Sequence, residues 1–340
     1  MDITREQDLN IRGFSIFLLV VHNYVYRLMG INCNEFAYSQ QVTDIFLSHV
    51  SSGQMPWYVA SFAGWVVVSC FFFLSGYGLT RKYGEAAQLP LYNYIKRHVS
   101  KLWKLLLPVF AVYIALFYGA FDHSWNIPSI IAQVTFTINP LCYGDNSFVI
   151  EPGIYWFLGA ILQFYLFFPV IRRLDKSWLW LLLAAGIAIR YLAIYGMSND
   201  VQEWIRLNAL GWVTPFVAGM IAARAPVNLT RRTSLVLCIL SAVLLWLCMT
   251  HQCLMPLSEI CCITCCVTLS RIVTLKPLAW IGGISSSIFM IHPLLRMIFY
   301  EMGPHSVLLS LACYTVLSIA VGWLYSLLMK AILPEKPKGR

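Results

Sequence analysis

An all-α bundle of membrane-spanning helices is the fold class this sequence predicts, and three observations carry the prediction. Of the 340 residues, 59% are hydrophobic and 11% charged, against about 25% charged in soluble domains. Apolar windows of the ~17–25 residues needed to cross a bilayer recur along the chain. They lie near residues 11–30, 57–79, 102–121, 154–171, 178–195, 207–223, 233–250, 253–270, 278–298 and 306–329, giving about ten transmembrane helices. The third observation is the uneven placement of lysine and arginine between the loops. One such bundle accounts for residues 1–340 as a single transmembrane domain.

With ten spans, both termini and the even-numbered loops share one side. That side holds all of the 24 Lys and Arg except Arg12, Arg27, Arg190, Arg206 and Arg296. Cytoplasmic loops carry the excess of such residues, so the N- and C-termini are expected in the cytoplasm. Glu35, Asp44, Asp122, Asp145, Glu151, Asp200, Glu203, Glu259 and Glu301 lean to the other side. The net charge of +9 thus reflects topology and interaction with the lipid bilayer, and a nucleic-acid partner is excluded. The mixed-charge N-terminus and the absence of a small-residue cleavage pattern predict that the first span stays as an anchor.

The first span opens with Arg12 and contains His22. At ~1.5 Å per residue, His22 lies ~15 Å further in than Arg12, about half of the ~30 Å hydrocarbon core. Ionisable side chains are costly there and mark candidate functional sites. A titratable imidazole near mid-membrane points to chemistry or proton handling.

Span two ends in Phe71-Phe-Phe-Leu-Ser-Gly-Tyr-Gly-Leu79. Ser75, Gly76 and Gly78 permit close approach of a helix or a ligand, with Tyr77 among them. In the basic loop that follows, Arg97, Lys101 and Lys104 fall on one helical stripe beside Lys96. They set topology and touch headgroups, or they bind the phosphates of a nucleotide-like ligand. The outer connections 31–56 and 122–153 are long enough to be functional or partly helical.

Span four opens at Glu151-Pro-Gly-Ile-Tyr-Trp156. Proline suits a first helical turn and Glu151 the positive end of the helix dipole. Glu151, Tyr155 and Trp156 form an interfacial belt or a site for a sugar-like hydroxyl donor. Pro215 is expected to break the sixth span. In span nine, Gly282 to Pro293, His292 is a structural histidine at a Pro293 helix break or an acceptor-side ligand. Arg296 is expected to pair with Glu301. Cys261, Cys262, Cys265 and Cys266 share one helix, which cannot supply a tetrahedral metal set by itself, so no metal site is expected. Cys33 and Cys142 fall in outer loops where a disulfide is permitted.

Taken in order, these stations resemble the membrane acyltransferase-3 family, bacterial O-acyltransferases of surface glycans. The resemblance covers Ile11-Arg-Gly leading to His22, Phe72-Phe-Leu-Ser-Gly-Tyr-Gly78, the basic stretch closing at Pro108, Tyr155-Trp-Phe-Leu158, and Ile281-Gly with Ser285-Ser-Ser-Ile through His292-Pro293. It implies a multi-pass protein of the bacterial cytoplasmic (inner) membrane, with no permanently bound cofactor. It also implies transfer of an acyl group from cytosolic acyl-coenzyme A, acetyl-coenzyme A in the simplest case, to a glycan or glycolipid hydroxyl outside. His22 matches the family's essential histidine, and Arg12 belongs to the same motif. The basic stretch matches the donor region, which assigns Arg97, Lys101, Lys104, Ser75 and Tyr77 to acyl-coenzyme A. Glu151, Tyr155, Trp156 and His292 are assigned to the acceptor. The family pattern places ten residues between the Arg or Lys and the His, whereas nine separate Arg12 from His22. At ~100° per residue this leaves the two ~80° apart on the helix. The competing class is a transporter in which His22, His292 and Glu151 relay protons, which calls for broken helices and repeat symmetry.

Overall fold

A computed structural model describes residues 2–50, 52, 55–84, 88–120, 126–143, 148–225, 227–302 and 307–332. Asp122, Asp145, Lys336, Lys338 and Arg340 of the charge pattern, and Phe121 at the end of the third expected span, lie outside the described residues. The chain is all-helical, and among the described residues there is no strand.

The helices are, in order, α1 Arg5–Leu28, α2 Gln40–Ser48, α3 Met55–Gly64, α4 Val68–Tyr83, α5 Leu91–Ile114, α6 Ile127–Val134, α7 Ile138–Leu141 and α8 Trp156–Ile171. They continue with α9 Lys176–Gly196, α10 Asn199–Leu207, α11 Val213–Arg224, α12 Arg231–Thr250, α13 Ser258–Ile272, α14 Lys276–Gly283, α15 Ser285–Glu301 and α16 Val307–Ile332. Among the described residues, seven helical segments are long and apolar enough to cross a membrane, or nine if each of two bent pairs is one span. The expected windows from 57–79 to 306–329 all fall on these segments. The first window falls on α1, 24 residues long, which is not among the seven. A capping box between Thr4 and Gln7 starts α1, satisfying backbone donors that the first turn leaves free.

The two breaks are not where proline predicts them. α10 and α11 bend by 75° at Asn208, and α14 and α15 bend by 75° at Ile284. Pro215 instead lies in the first turn of α11, where its missing N–H removes no helical bond. Pro293 lies inside a continuous α15, as bundled membrane helices tolerate.

Two close helix crossings fix the bundle around α1 and α4. A Cβ on Gly13 would stand 1.9 Å from the Leu278 carbonyl oxygen, and one on Gly282 would stand 1.9 Å from that of Leu9. α1 and α14 therefore meet backbone to backbone, as small residues permit. Gly76 and Gly219 do the same for α4 and α11 against Phe216 and Phe73. At one end of the bundle, Asp2 pairs with Arg81 at 3.2 Å and accepts from Arg271 through its carbonyl. Arg172 donates to the Tyr83 carbonyl, and Arg224 to that of Arg172. The N-terminus and the ends of α4, α8, α11 and α13 thus gather at one end.

A buried ion pair crosses the core. Arg190 of α9 and Glu259 of α13 are 1% and 0% exposed, with Nε 3.6 Å from Oε1. The guanidinium carbon lies 3.4 Å from the Phe36 ring centroid. Such pairs cost several kcal/mol in desolvation, so this one needs a reason beyond packing. Phe36 also packs on Trp65 and Trp212, which anchors the segment after α1 to the bundle.

Candidate functional site

His22 sits on α1, 3% exposed, and is held on two sides. Its Nδ1 is 2.9 Å from the Ser61 carbonyl oxygen. A carbonyl only accepts, so Nδ1 carries a proton. Nε2 is 3.7 Å from Glu35 Oε1. Tyr26 stacks on the imidazole, centroids 5.5 Å apart and planes 14° apart. Gly64 lets α3 approach this closely, since a Cβ there would lie 2.2 Å from His22 Cβ.

Glu35 is the residue that sequence reasoning missed as a site residue, having counted it only as an outer-side charge. It lies between α1 and α2, and its other carboxylate oxygen is 3.5 Å from Arg206 Nη1. Burial pushes its carboxyl up, but Arg206, His22 and Arg27 outweigh that and hold it at about 2. Arg206 also pairs with Glu203 and stands over the Trp156 ring. The ligand atoms of His22, Cys33 and Glu35 lie within 4.8 Å of one another, a grouping that could hold a metal ion. Arg206 beside Glu35 already supplies the positive charge there, so the set fits an ion pair better than a cation site.

One elongated cavity joins these groups to the opposite end of α1. Its walls carry Arg12, Ser75, Lys101 and Tyr165 towards one end and Arg27, Glu35, Arg206 and Trp212 towards the other, with His22 and Asn23 between. Phe71, Trp156, Phe157, Phe289, Ser285 and Ser286 line its length. About 180 Å³ of it is open to the centres of water molecules. Binding sites of this kind are mostly apolar with a few convergent polar groups.

Of the residues singled out from sequence, the cavity gathers His22, Arg12, Lys101, Ser75 and Trp156. Arg12 is ion-paired to Asp8 at 2.9 Å, ten residues before His22 on α1, a rise of ~15 Å. Ser75 donates to the Phe71 carbonyl at 2.7 Å. Arg97 is exposed on α5, and Lys104 lines a shallow groove with Pro108 and Met329 instead. The Tyr77 hydroxyl accepts from the Ile3 amide at 3.0 Å, tying down the N-terminus. Glu151 accepts from Tyr113 and Tyr118 at 3.4 and 3.1 Å. The Tyr155 hydroxyl donates to the Met290 carbonyl at 2.6 Å, locking α8 to α15. His292 is fully buried, with Nδ1 3.0 Å from the Ile288 carbonyl oxygen. None of these last four is on the cavity wall.

Arg296, for which Glu301 was the expected partner, donates to Asn23 Oδ1 at 2.7 Å, while Asn23 Nδ2 donates to the Leu19 carbonyl. Cys33 and Cys142 are free thiols, and Cys142 donates to the Phe148 carbonyl. The four-cysteine run is not confined to its own helix, because Cys70 of α4 meets Cys262 and Cys266.

At His22 the cavity wall therefore presents an imidazole held through Nδ1 by a backbone carbonyl, with a carboxylate 3.7 Å from Nε2. A family model described as an acyltransferase domain matches residues 8–327. No curated protein and no solved structure matches the chain.

Proposed function

The chain belongs to the acyltransferase family whose domain its residues 8–327 match, and on that premise we propose that it is a membrane O-acyltransferase with His22 as general base. The donor is a cytosolic acyl-coenzyme A, acetyl in the simplest case. The acceptor is a hydroxyl of an extracytoplasmic glycan or related molecule. In this reading α1 is the tenth span, both termini are cytoplasmic, and the membrane is the bacterial inner membrane. The observation that carries it is the cavity lined from Lys101 and Arg12 to Glu35 with His22 on its wall.

The donor enters from the Arg12 end. Lys101 and Arg12 meet its phosphates, and its thioester arm runs along Ser75, Phe71 and Phe157. The acceptor arrives from the Glu35 end. Its hydroxyl gives its proton to His22 Nε2 as its oxygen attacks the thioester carbonyl carbon. Glu35 stabilises the imidazolium that forms, and the Ser61 carbonyl keeps the ring oriented. The tetrahedral intermediate then expels the thiolate, which takes the proton back from Nε2 and leaves as free thiol. The acyl ester remains on the acceptor.

Two helix pairs bent by 75° favour the competing transporter reading. Its relay residues are spent elsewhere, however: His292 on the Ile288 carbonyl and Glu151 on two tyrosines. The deciding experiment compares alkali-labile esters on envelope glycans and lipids by mass spectrometry. It uses a deletion strain, the deletion with the intact gene, and the deletion with His22→Ala at equal membrane abundance. An ester seen only with the intact gene supports acyl transfer through His22. No ester difference, with donor and acceptors shown to be present, overturns it.

A further inference from the structure

The groups that acyl transfer leaves unused include three fully buried thiols on two helices. Cys70 of α4 faces Cys262 and Cys266 of α13, one helical turn apart, and the three sulfurs lie within 4.8 Å of one another. Each residue is at most 5% exposed. The Ser15 and Ser69 hydroxyls stand beside Cys70, and Cys265 stands beside Cys262. Ser15 is fully buried and its Oγ has no hydrogen-bond partner of normal geometry. A soft ion with bonds of about 2.3 Å to sulfur needs its sulfurs roughly 3.5–4 Å apart. These three are within a small rotamer adjustment of that spacing.

We propose that Cys70, Cys262 and Cys266 form a binding site for a trivalent thiophilic ion, of the chemistry of arsenic(III) or antimony(III). Charge decides among soft ions. The thiolate is the ligand form, and three thiolates leave a net −2 on a monovalent ion and −1 on a divalent one. Either charge, deep in a bundle and beside uncharged hydroxyls and thiols, costs several kcal/mol. A trivalent ion leaves none. With arsenous acid the reaction balances without an oxidant. Three As–O bonds break and three As–S bonds form, and each thiol proton leaves with a hydroxide as water. The product ties α4, which carries the cavity-wall residues Val68, Phe71 and Ser75, to α13.

The test uses the full chain, purified in detergent and treated with arsenite, with intact mass and elemental analysis as readouts. The expected result is one arsenic per chain, with a mass gain of one arsenic atom less three hydrogens. Cys70→Ser and Cys266→Ser should each lower retained arsenic at least tenfold. Exposed-site controls, Cys253→Ser and Cys313→Ser, should bind as wild type does. Arsenic retained equally by the Cys70 and Cys266 variants overturns the proposal. So does an adduct that keeps a hydroxide, the mark of a two-thiol site such as Cys248 with Cys261. If a variant fails to fold, the wild-type mass still decides, because only a three-sulfur site loses three hydrogens.

Discussion

Replacing Glu35 by Gln tests the charge argument at His22 directly. The substitution keeps the shape and removes the charge that faces the imidazolium. At 3.7 Å and an effective dielectric constant of about 20, the interaction of two unit charges is about 4.5 kcal/mol. Arg206 sits 3.5 Å from the other oxygen and takes up part of that field. A loss of roughly 2–3 kcal/mol in transition-state stabilisation is left, equivalent to a 30- to 160-fold fall in kcat. The assay is acyl transfer from labelled acyl-coenzyme A in proteoliposomes, with His22→Ala as the zero. KM for the donor should be unchanged, because Glu35 lies at the far end of the cavity. Activity of Glu35→Gln within twofold of wild type would refute the reasoning. A rise in acceptor KM at constant kcat would refute it as well, since Glu35 would then be holding the acceptor and not the imidazolium.

Gly64→Ala places a Cβ 2.2 Å from His22 Cβ, so it should displace the ring from the Ser61 carbonyl. Activity should fall at least tenfold, with a stability loss of about 1–3 kcal/mol from overpacking; Gly78→Ala, which meets nothing within 4 Å, is the control that should retain activity. Lys101→Ala should raise the donor KM severalfold while Lys104→Ala does not, because Lys101 alone of the two lines the cavity; donor titrations of both variants decide. Arg190→Met should cost about 3–5 kcal/mol by stranding Glu259, and the double variant Arg190→Met, Glu259→Leu should recover part of it, read as thermal unfolding in detergent. Glu35 also makes stability depend on pH. Its folded value, about 2, lies below the ordinary carboxylate value, so its contribution is complete above about 4.5 and fades as pH falls towards 2. The unfolding-temperature gap between wild type and Glu35→Gln should therefore close over that interval and stay constant above it.

The parts of the site carried by one helix were legible, and the parts assembled across the fold were not. His22 stood out because an imidazole inside an apolar run is costly, and Lys101 because cations there form a stripe. Glu35 gave no such signal. It lies in a connection without periodicity, and the packing of Phe36 on Trp65, Trp212 and Arg190 together with the Arg206 ion pair holds it near Nε2. The proline signals named the right spans but the wrong break points, because a first-turn proline extends a helix as readily as it ends one. The cysteines misled in another way, since i, i+4 spacing within α13 is silent about Cys70. α1 is less apolar than the other long helices because it carries Arg12 and Arg27 as well as Ser15, His22 and Asn23, the last three facing inward. The polar residues to which the proposed reaction gives a role are among those that obscure it as a span.

The elongated cavity carries a consequence for the cell that houses it. A route lined from Arg12 to Glu35, with an imidazole beside the carboxylate, is also a route by which protons could leak down an energised membrane. The aromatic side chains on its walls, Trp65, Trp156, Phe157, Trp212 and Phe289, offer a file of water few hydrogen-bond partners. In the proposed reaction the acyl donor would then be both reactant and stopper. Variants that shrink those aromatic side chains should be judged by their toxicity to the host as well as by their turnover.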